Sequence, residues 1–300
     1  MKWISPAVYA ALFAATWAAV FKGGMTGVWA WASVVGLWPL MALLVMIVTL
    51  ITALLRRRIA APALATLGVS LIALWPLAWS FGAPGMAYPS NPEKTAPASY
   101  VRPPASGPLR VAWGGDSFKV NRHSASSGQR WAYDLLIEPA GHGAADLASY
   151  GCFGAPVVAP ATGLVHLAHD GENDMAIGES LADMEKLLGN HVVLKLENAG
   201  YLVIAHLKKG SVTAAQGEIV TEGDVIGACG NSGNTSEPHI HIHHQRQDPM
   251  MYDGKLNMGV NFVEGLPLYF HHHKGPAMPS GGVEIKDGKA RFTGDIIEAN

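Results

Sequence analysis

Two patterns of apolar residues follow one another along the chain. Up to Pro92 the runs Trp3–Phe21, Gly23–Leu55 and Ile59–Pro92 carry no charge and are separated only by Lys22 and the triplet Arg56-Arg57-Arg58. A bilayer crossing takes about 20 apolar residues, so this pattern predicts three transmembrane helices. The first covers Trp3–Phe21 and is read as retained, because no small-residue cleavage site precedes the next apolar run and two further spans follow. The second is expected at about Val34–Leu55, with Trp29 and Trp31 at an interfacial entry, and the third at about Ala60–Phe81, with Trp75 and Trp79 near its far end.

Beyond residue 107 the pattern changes to short apolar runs bounded by glycine and proline: LRVAWGG, WAYDLLIE, APVVAPATGLVHLA, NHVVLKLENAGYLVIAHL, GEIVTEGDVIGACG and HIHIHHQ. Their β-branched content, with turn signals every eight to twelve residues, predicts a mainly β domain. The segment KLENAGYLVIAHL predicts a hairpin around Asn198-Ala199-Gly200, and only Glu179–Leu188 has a helical period, within an insertion between strands at Asp170–Gly189 that either borders the site or is a peripheral decoration. Between the two patterns, residues 82–107 are rich in Pro, Ala and Ser and read as an extended linker. The resulting division is a transmembrane region at 1–84, a linker at 85–107, a β domain at 108–270 and a solvated tail at 271–300 that holds the tract His271–His273.

Charge sharpens this division. Five of the 21 Lys and Arg precede residue 85, whereas the first acidic residue is Glu93. The remainder has 16 basic against 23 acidic residues, a formal charge of −7 with histidine neutral, which argues against nucleic acid as a partner. Positive loops stay in the cytoplasm. The arginine triplet is therefore placed inside and everything after about residue 85 outside, in a multi-pass membrane protein. In that compartment Cys152 and Cys229 are free to form a disulfide, but sequence leaves open whether they are bridged or two separate buried thiols.

All thirteen histidines lie in the outer part, and the densest group is EPHIHIHHQ, Glu237–Gln245. On a strand, His239, His241 and His243 share one face and His244 takes the other. Alone, such a pattern fits the solvated face of an edge strand. Its context is more specific. APVVAP with ATGLVHLA, then YLVIAHL, then GEIVTEGDVIGACGNSGNTSEPHIHI resemble, in this order, the segments of the lysostaphin-type (LytM-type) zinc endopeptidases that cut peptidoglycan peptides. The similarity runs from about Asn121 to His244.

The resemblance implies an antiparallel β-sheet peptidase domain and roles for particular residues. His241 and Asp134 become metal ligands, His206 and His239 catalytic histidines, and His243 a supporting group where the family often has an acidic or other polar residue. The family commonly has a histidine four residues before the aspartate, where this chain has Arg130. His123 in VNRHSASSGQRWAYD is therefore taken as the third ligand, with His142 as the alternative. Two imidazoles and a carboxylate suit Zn²⁺ with a position left for water. Gly230 and Gly233 read as a tight turn, and His166, His169 and His191 as surface or satisfied core residues.

The implied function is a zinc metallo-endopeptidase acting on peptidoglycan stem peptides or cross-bridges, tethered to the bacterial inner membrane, with its domain periplasmic or extracellular. The alternative is a degenerate module of the same kind that binds the wall or regulates other hydrolases. A carrier domain, suggested by VTEGDVIG, lacks the lysine it would need at a hairpin tip.

Overall fold

The computed structural model describes residues 6–81, 83, 85–179, 186–197, 200–249, 262–286 and 289–299. The chain divides into two compact units, Met1–Ser90 and Asn91–Asn300.

The first unit is helical, with α1 at Pro6–Lys22, α2 at Gly24–Ala32, α3 at Trp38–Leu55 and α4 at Ala61–Ala73. A π-helical turn at Ser33–Leu37 joins α2 to α3, so Gly24–Leu55 is one apolar helical segment of 32 residues. Its helix starts about ten residues earlier than the sequence suggests: the tryptophans expected at an interfacial entry are inside it, and Trp31 packs fully buried beside Tyr88. Among the described residues this is the one helix long and apolar enough to cross a membrane, while α1 and α4 are shorter apolar helices. The third expected span is divided, since α4 stops at Ala73 and a 3₁₀ turn covers Trp75–Phe81. Pro76 explains the break: it lacks an N–H, and it disfavours helical geometry in Trp75 before it.

The second unit is mainly β and antiparallel. In chain order its strands are β1 Ser99–Val101, β2 Pro108–Trp113, β3 Tyr133–Leu136, β4 Pro156–Val158 and β5 Gly163–His169. Then come β6 Asn190–Lys195, β7 Tyr201–Leu207, β8 Ile219–Val220, β9 Val225–Ala228 and β10 Ile240–Gln245. The last are β11 Gly265–Leu266, β12 Leu268–Phe270, β13 His273–Lys274, β14 Val283–Lys286, β15 Lys289–Phe292 and β16 Ile296–Ala299. The main sheet runs β13-β16-β2-β3-β10-β7-β6-β5-β8, with β11 also on β10. Its core face is apolar by simple alternation: Val111, Leu135, Ile240, Ile242, Ile204, Val192 and Leu194 are all fully buried there. The opposite face of β3, β10 and β7 carries the polar side chains described below.

Two segments at the margins differ from their expected roles. The stretch taken as linker contributes β1, which pairs in parallel with β12, and Val101 and Ala105 enter the core. Residues 271–300, taken as a solvated tail, supply β16, which joins the sheet beside β2 and buries Ile297. Strands of three and four residues offer too few alternating positions to be read, and β1 lies moreover in Pro/Ser-rich sequence. The expected helix at Glu179–Leu188 and the hairpin tip at Asn198-Ala199 fall largely outside the described residues, although Leu196 N–H donating to Gly200 O closes the β6–β7 hairpin as anticipated.

Cys152 and Cys229 form a disulfide across a sequence separation of 77. Closing a loop of that size removes chain entropy from the unfolded state, roughly 4 kcal/mol. The bridge lies beneath the Gly230–Gly233 turn that precedes the site.

Candidate active site

The central pair is set by register. His241 on β10 stands directly opposite Asp134 on β3, so their side chains emerge together on the polar face, and His241 Nδ1 lies 2.8 Å from Asp134 Oδ1. His123 reaches the same carboxylate from a loop, with Nε2 2.8 Å from Oδ2. Asn121 builds that loop. Fully buried, it accepts from the His123 backbone N–H and donates to Gly115 O and Ala132 O. His123, Asp134 and His241 each offer a ligand atom within 4.8 Å of the others, a group that could hold a metal ion.

The polarity of these contacts tests whether a cation fits. Gln129 Oε1 faces His123 Nδ1 at 3.1 Å, so Nδ1 carries the hydrogen and Nε2 turns a lone pair towards the carboxylate oxygen. Two acceptors held at 2.8 Å call for a proton or a metal between them. In the metal-free protein the proton serves. Burial disfavours the His123 cation most strongly, but the Asp134 charge together with the hydrogen bonds to Asp134 and Gln129 raises its pKa. Burial would likewise raise Asp134, yet the facing imidazoles hold it well below the usual carboxylate range.

His239 and His206 complete the cluster. His239 Nε2 is 3.5 Å from Asp134 Oδ1, and its Nδ1 donates to Glu237 O at 2.8 Å beside the Thr235 hydroxyl. The ring centroids of His206 lie 4.8 Å from His239 and 5.6 Å from His241. Strand alternation alone would not bring His206 here, because Ala205 already occupies the site face. A β-bulge does: Ala205 and His206 together oppose His191 across a register shift, and His206 takes the left-handed conformation, φ 63°. Its Nδ1 donates to Ser232 O at 2.8 Å, leaving Nε2 as an acceptor. Burial first, then the charges of His239 and His241, push His206 well below the ordinary imidazole value. At His239 burial again opposes the cation, but the charge and hydrogen bond of Asp134, with the carbonyl and carboxylate of Glu237, raise the pKa.

The other sequence candidates lie elsewhere. His142 stacks on Tyr150 at 4.1 Å and accepts from Ala144 N–H, and it is not part of the His123, Asp134 and His241 group. Arg130 is buried, bonds to Asp116 at 2.9 Å and lies over the Trp131 ring. His243 continues the site face of β10, with Nδ1 2.9 Å from His241 Nε2, and His244 faces away towards Ser99 and Pro267. His166 pairs with Asp248 and His169 with Glu172. His191 is buried and donates to Gly189 O, but its Nε2 has no hydrogen-bond partner. At Gly233, φ is 82° and an added Cβ would strike the Gly189 and Leu187 backbones, so the turn requires glycine.

Several supporting residues were not read from sequence: Gln129, Ser232 and Thr235 at the imidazoles, and Asp174 in the 170–189 insertion. Asp174 accepts from Asn231 N–H at 2.7 Å and from Lys209 N–H, while Leu188 O accepts from His206 N–H. The insertion is thereby knitted into the turn beneath His206. Asn121, by contrast, had a sequence signal, its position two residues before His123.

Comparison with known proteins follows this geometry. Residues 141–252 match the family described as Peptidase family M23, a stretch that contains His206, His239 and His241 and begins after His123 and Asp134. No curated protein matches the chain. Among solved structures it is similar to the antimicrobial peptidase lysostaphin from Staphylococcus simulans, at 14% identity and a TM-score of 0.31 over 52% of this chain and 47% of that one. The chain therefore spans about half the length of that protein. It is also similar to the catalytic domain of a mutant of the prophage-encoded M23 protein EnpA from Enterococcus faecalis, at 19% identity and a TM-score of 0.28, over 58% and 94% of the two chains. A zinc-containing peptidase from Vibrio cholerae matches at 17% identity and a TM-score of 0.28, over 56% and 38%. The chain carries a domain of peptidase family M23, spanning residues 141–252.

Proposed function

We propose that the protein is a zinc metallo-endopeptidase that hydrolyses peptide bonds in peptidoglycan stem peptides or cross-bridges, anchored in the bacterial inner membrane by its N-terminal helices. The observation that carries this reading is the convergence of His123 Nε2 and His241 Nδ1 on the two oxygens of Asp134. His123, Asp134 and His241 would hold the metal. When bound, Zn²⁺ acidifies a water and polarises the scissile carbonyl.

The remaining work falls to two imidazoles. His206, with Nδ1 committed to Ser232 O, presents Nε2 as a proton acceptor. His239, with Nδ1 committed to Glu237 O, presents Nε2 beside the carboxylate. Between them they take the proton of the attacking water, steady the developing oxyanion and return a proton to the leaving amine. No H-E-x-x-H segment occurs in the sequence to supply a glutamate base, so imidazole is the group of suitable pKa.

The test measures bound zinc and release of peptides from purified peptidoglycan by the full chain and by His241→Ala. Loss of both in the variant is expected. Retention of both would overturn the reading, and a wild-type protein that binds the wall without metal or hydrolysis would establish the regulatory alternative.

A further inference from the structure

β10 carries polar side chains at every second position beyond the metal group, and their hydrogen bonds have a direction. Gln245 Nε2 donates to the backbone carbonyl of Gln247 at 2.8 Å. A carbonyl can only accept, so the amide is fixed and Gln245 turns its Oε1 to His243 Nε2, 2.9 Å away. An amide oxygen also only accepts, so His243 carries its hydrogen on Nε2 and leaves Nδ1 as a lone pair. That lone pair faces His241 Nε2 at 2.9 Å, which places the His241 hydrogen on Nε2. His241 Nδ1 is then a lone pair facing Asp134 Oδ1 at 2.8 Å, two acceptors that call for a cation between them.

We propose that Gln247 O, Gln245 and His243 form a positioning relay that holds His241 in the Nε2–H tautomer and so presents Nδ1 for metal coordination. The inference rests on the zinc-site reading above. All three side chains are buried, His241 3%, His243 4% and Gln245 5% exposed, so water does not compete for these bonds. The relay also accounts for the surplus of imidazole on this strand. A metal-bound histidine needs an acceptor for its other nitrogen, and here a second histidine provides it, passing the demand on until a backbone carbonyl meets it. His243 acts through His241 and is a positioning residue.

The experiment uses full-length protein in detergent, labelled with ¹⁵N-histidine. Imidazole ¹⁵N shifts report the tautomer in the zinc-loaded state, and chelator competition gives zinc affinity. In the wild type His241 is expected as the Nε2–H tautomer. His243→Phe keeps a ring of similar size but removes the acceptor. It should mix the His241 tautomers and weaken zinc binding by about 10- to 100-fold, the usual effect of losing such a partner. Gln245→Leu breaks the next link and should shift both readouts in the same direction if His243→Phe does not fold. His243→Glu, which still accepts from His241 Nε2–H, should restore both. Wild-type affinity and a single His241 tautomer in His243→Phe or Gln245→Leu would overturn the relay. A wild-type protein that takes up no zinc would instead overturn the metal site on which the relay acts.

Discussion

His206 is the residue whose backbone departs most from its element. At φ 63° a residue with a Cβ sits where the left-handed region costs about 1–2 kcal/mol, and glycine avoids that cost while giving back about 0.5–1 kcal/mol in chain entropy. His206→Gly should therefore unfold at a slightly higher temperature than His206→Ala. Both should lose about 10²- to 10⁴-fold in peptidoglycan hydrolysis, the usual worth of a positioned acid or base. Thermal unfolding and turnover measured together separate the two effects; an alanine variant as stable as the glycine one would contradict the strain. The second residue-scale expectation concerns protons at the ligands. With the His123 pKa raised above the ordinary imidazole value by Asp134, a proton competes for Nε2 on the acid side of that raised value, whereas Asp134, held low, stays ionised. Zinc affinity should thus rise with pH, by up to about tenfold per unit while His123 remains protonated. Chelator competition between pH 6 and 8 measures this, and a flat profile would contradict it.

At the scale of elements, the 170–189 insertion and the turn at Gly230–Asn234 behave as one support. Asp174 satisfies the Asn231 and Lys209 amides, Asn231 Nδ2 donates to Met175 O, and the Ser232 carbonyl of the same turn holds His206. Asp174→Ala strands two backbone donors and should cost about 1–3 kcal/mol. Hydrolysis should fall further than zinc content, because His206 loses its footing while the ligands do not. Differential denaturation with a zinc assay checks this, and an unchanged stability would reduce the insertion to decoration. This contact network also marks what the sequence could convey. Alternation in IHIHHQ gave the shared face of His239, His241 and His243, and WAYDLLIE gave the strand that carries Asp134. The bulge at Ala205-His206 was not legible, since a register shift leaves no trace in a strand's own periodicity. Gln129 and Ser232 were hidden for another reason: their roles rest on a side-chain amide and a backbone carbonyl, neither of which has a motif. The short strands β1 and β16 offered too few positions for a period to register.

At the scale of the molecule, charge and apolar surface are divided between the two units. Before Glu93 the sequence holds five cationic residues and no acidic one, and the helices expose Leu44, Leu54 and Ile72 at 60% or more, as lipid-facing positions would. Pro6 lines the same cavity, about 510 Å³, as Arg56 and Arg58, which puts the start of α1 at the same end of the helical unit as the α3–α4 turn. Positive residues favour the cytoplasmic side; on the membrane anchoring proposed above that end faces the cytoplasm, and α4 together with the Trp75–Phe81 turn would have to complete a further crossing for residue 95 to lie outside. An alkaline phosphatase reporter joined after Arg58 should be inactive and one joined after Thr95 active, with a cytoplasm-dependent fluorescent reporter giving the reverse. The full chain should also remain with membranes in alkaline carbonate, because Gly24–Leu55 at about 1.5 Å per residue is some 48 Å long, more than the roughly 30 Å of hydrocarbon it must cross. If the mature protein instead began after α1, the reporter after Arg58 would still report inside, but the amino terminus would no longer contain Tyr9. Sequencing the amino terminus of the membrane-bound protein therefore distinguishes a retained first helix from a cleaved one, and the expected result is that α1 is present.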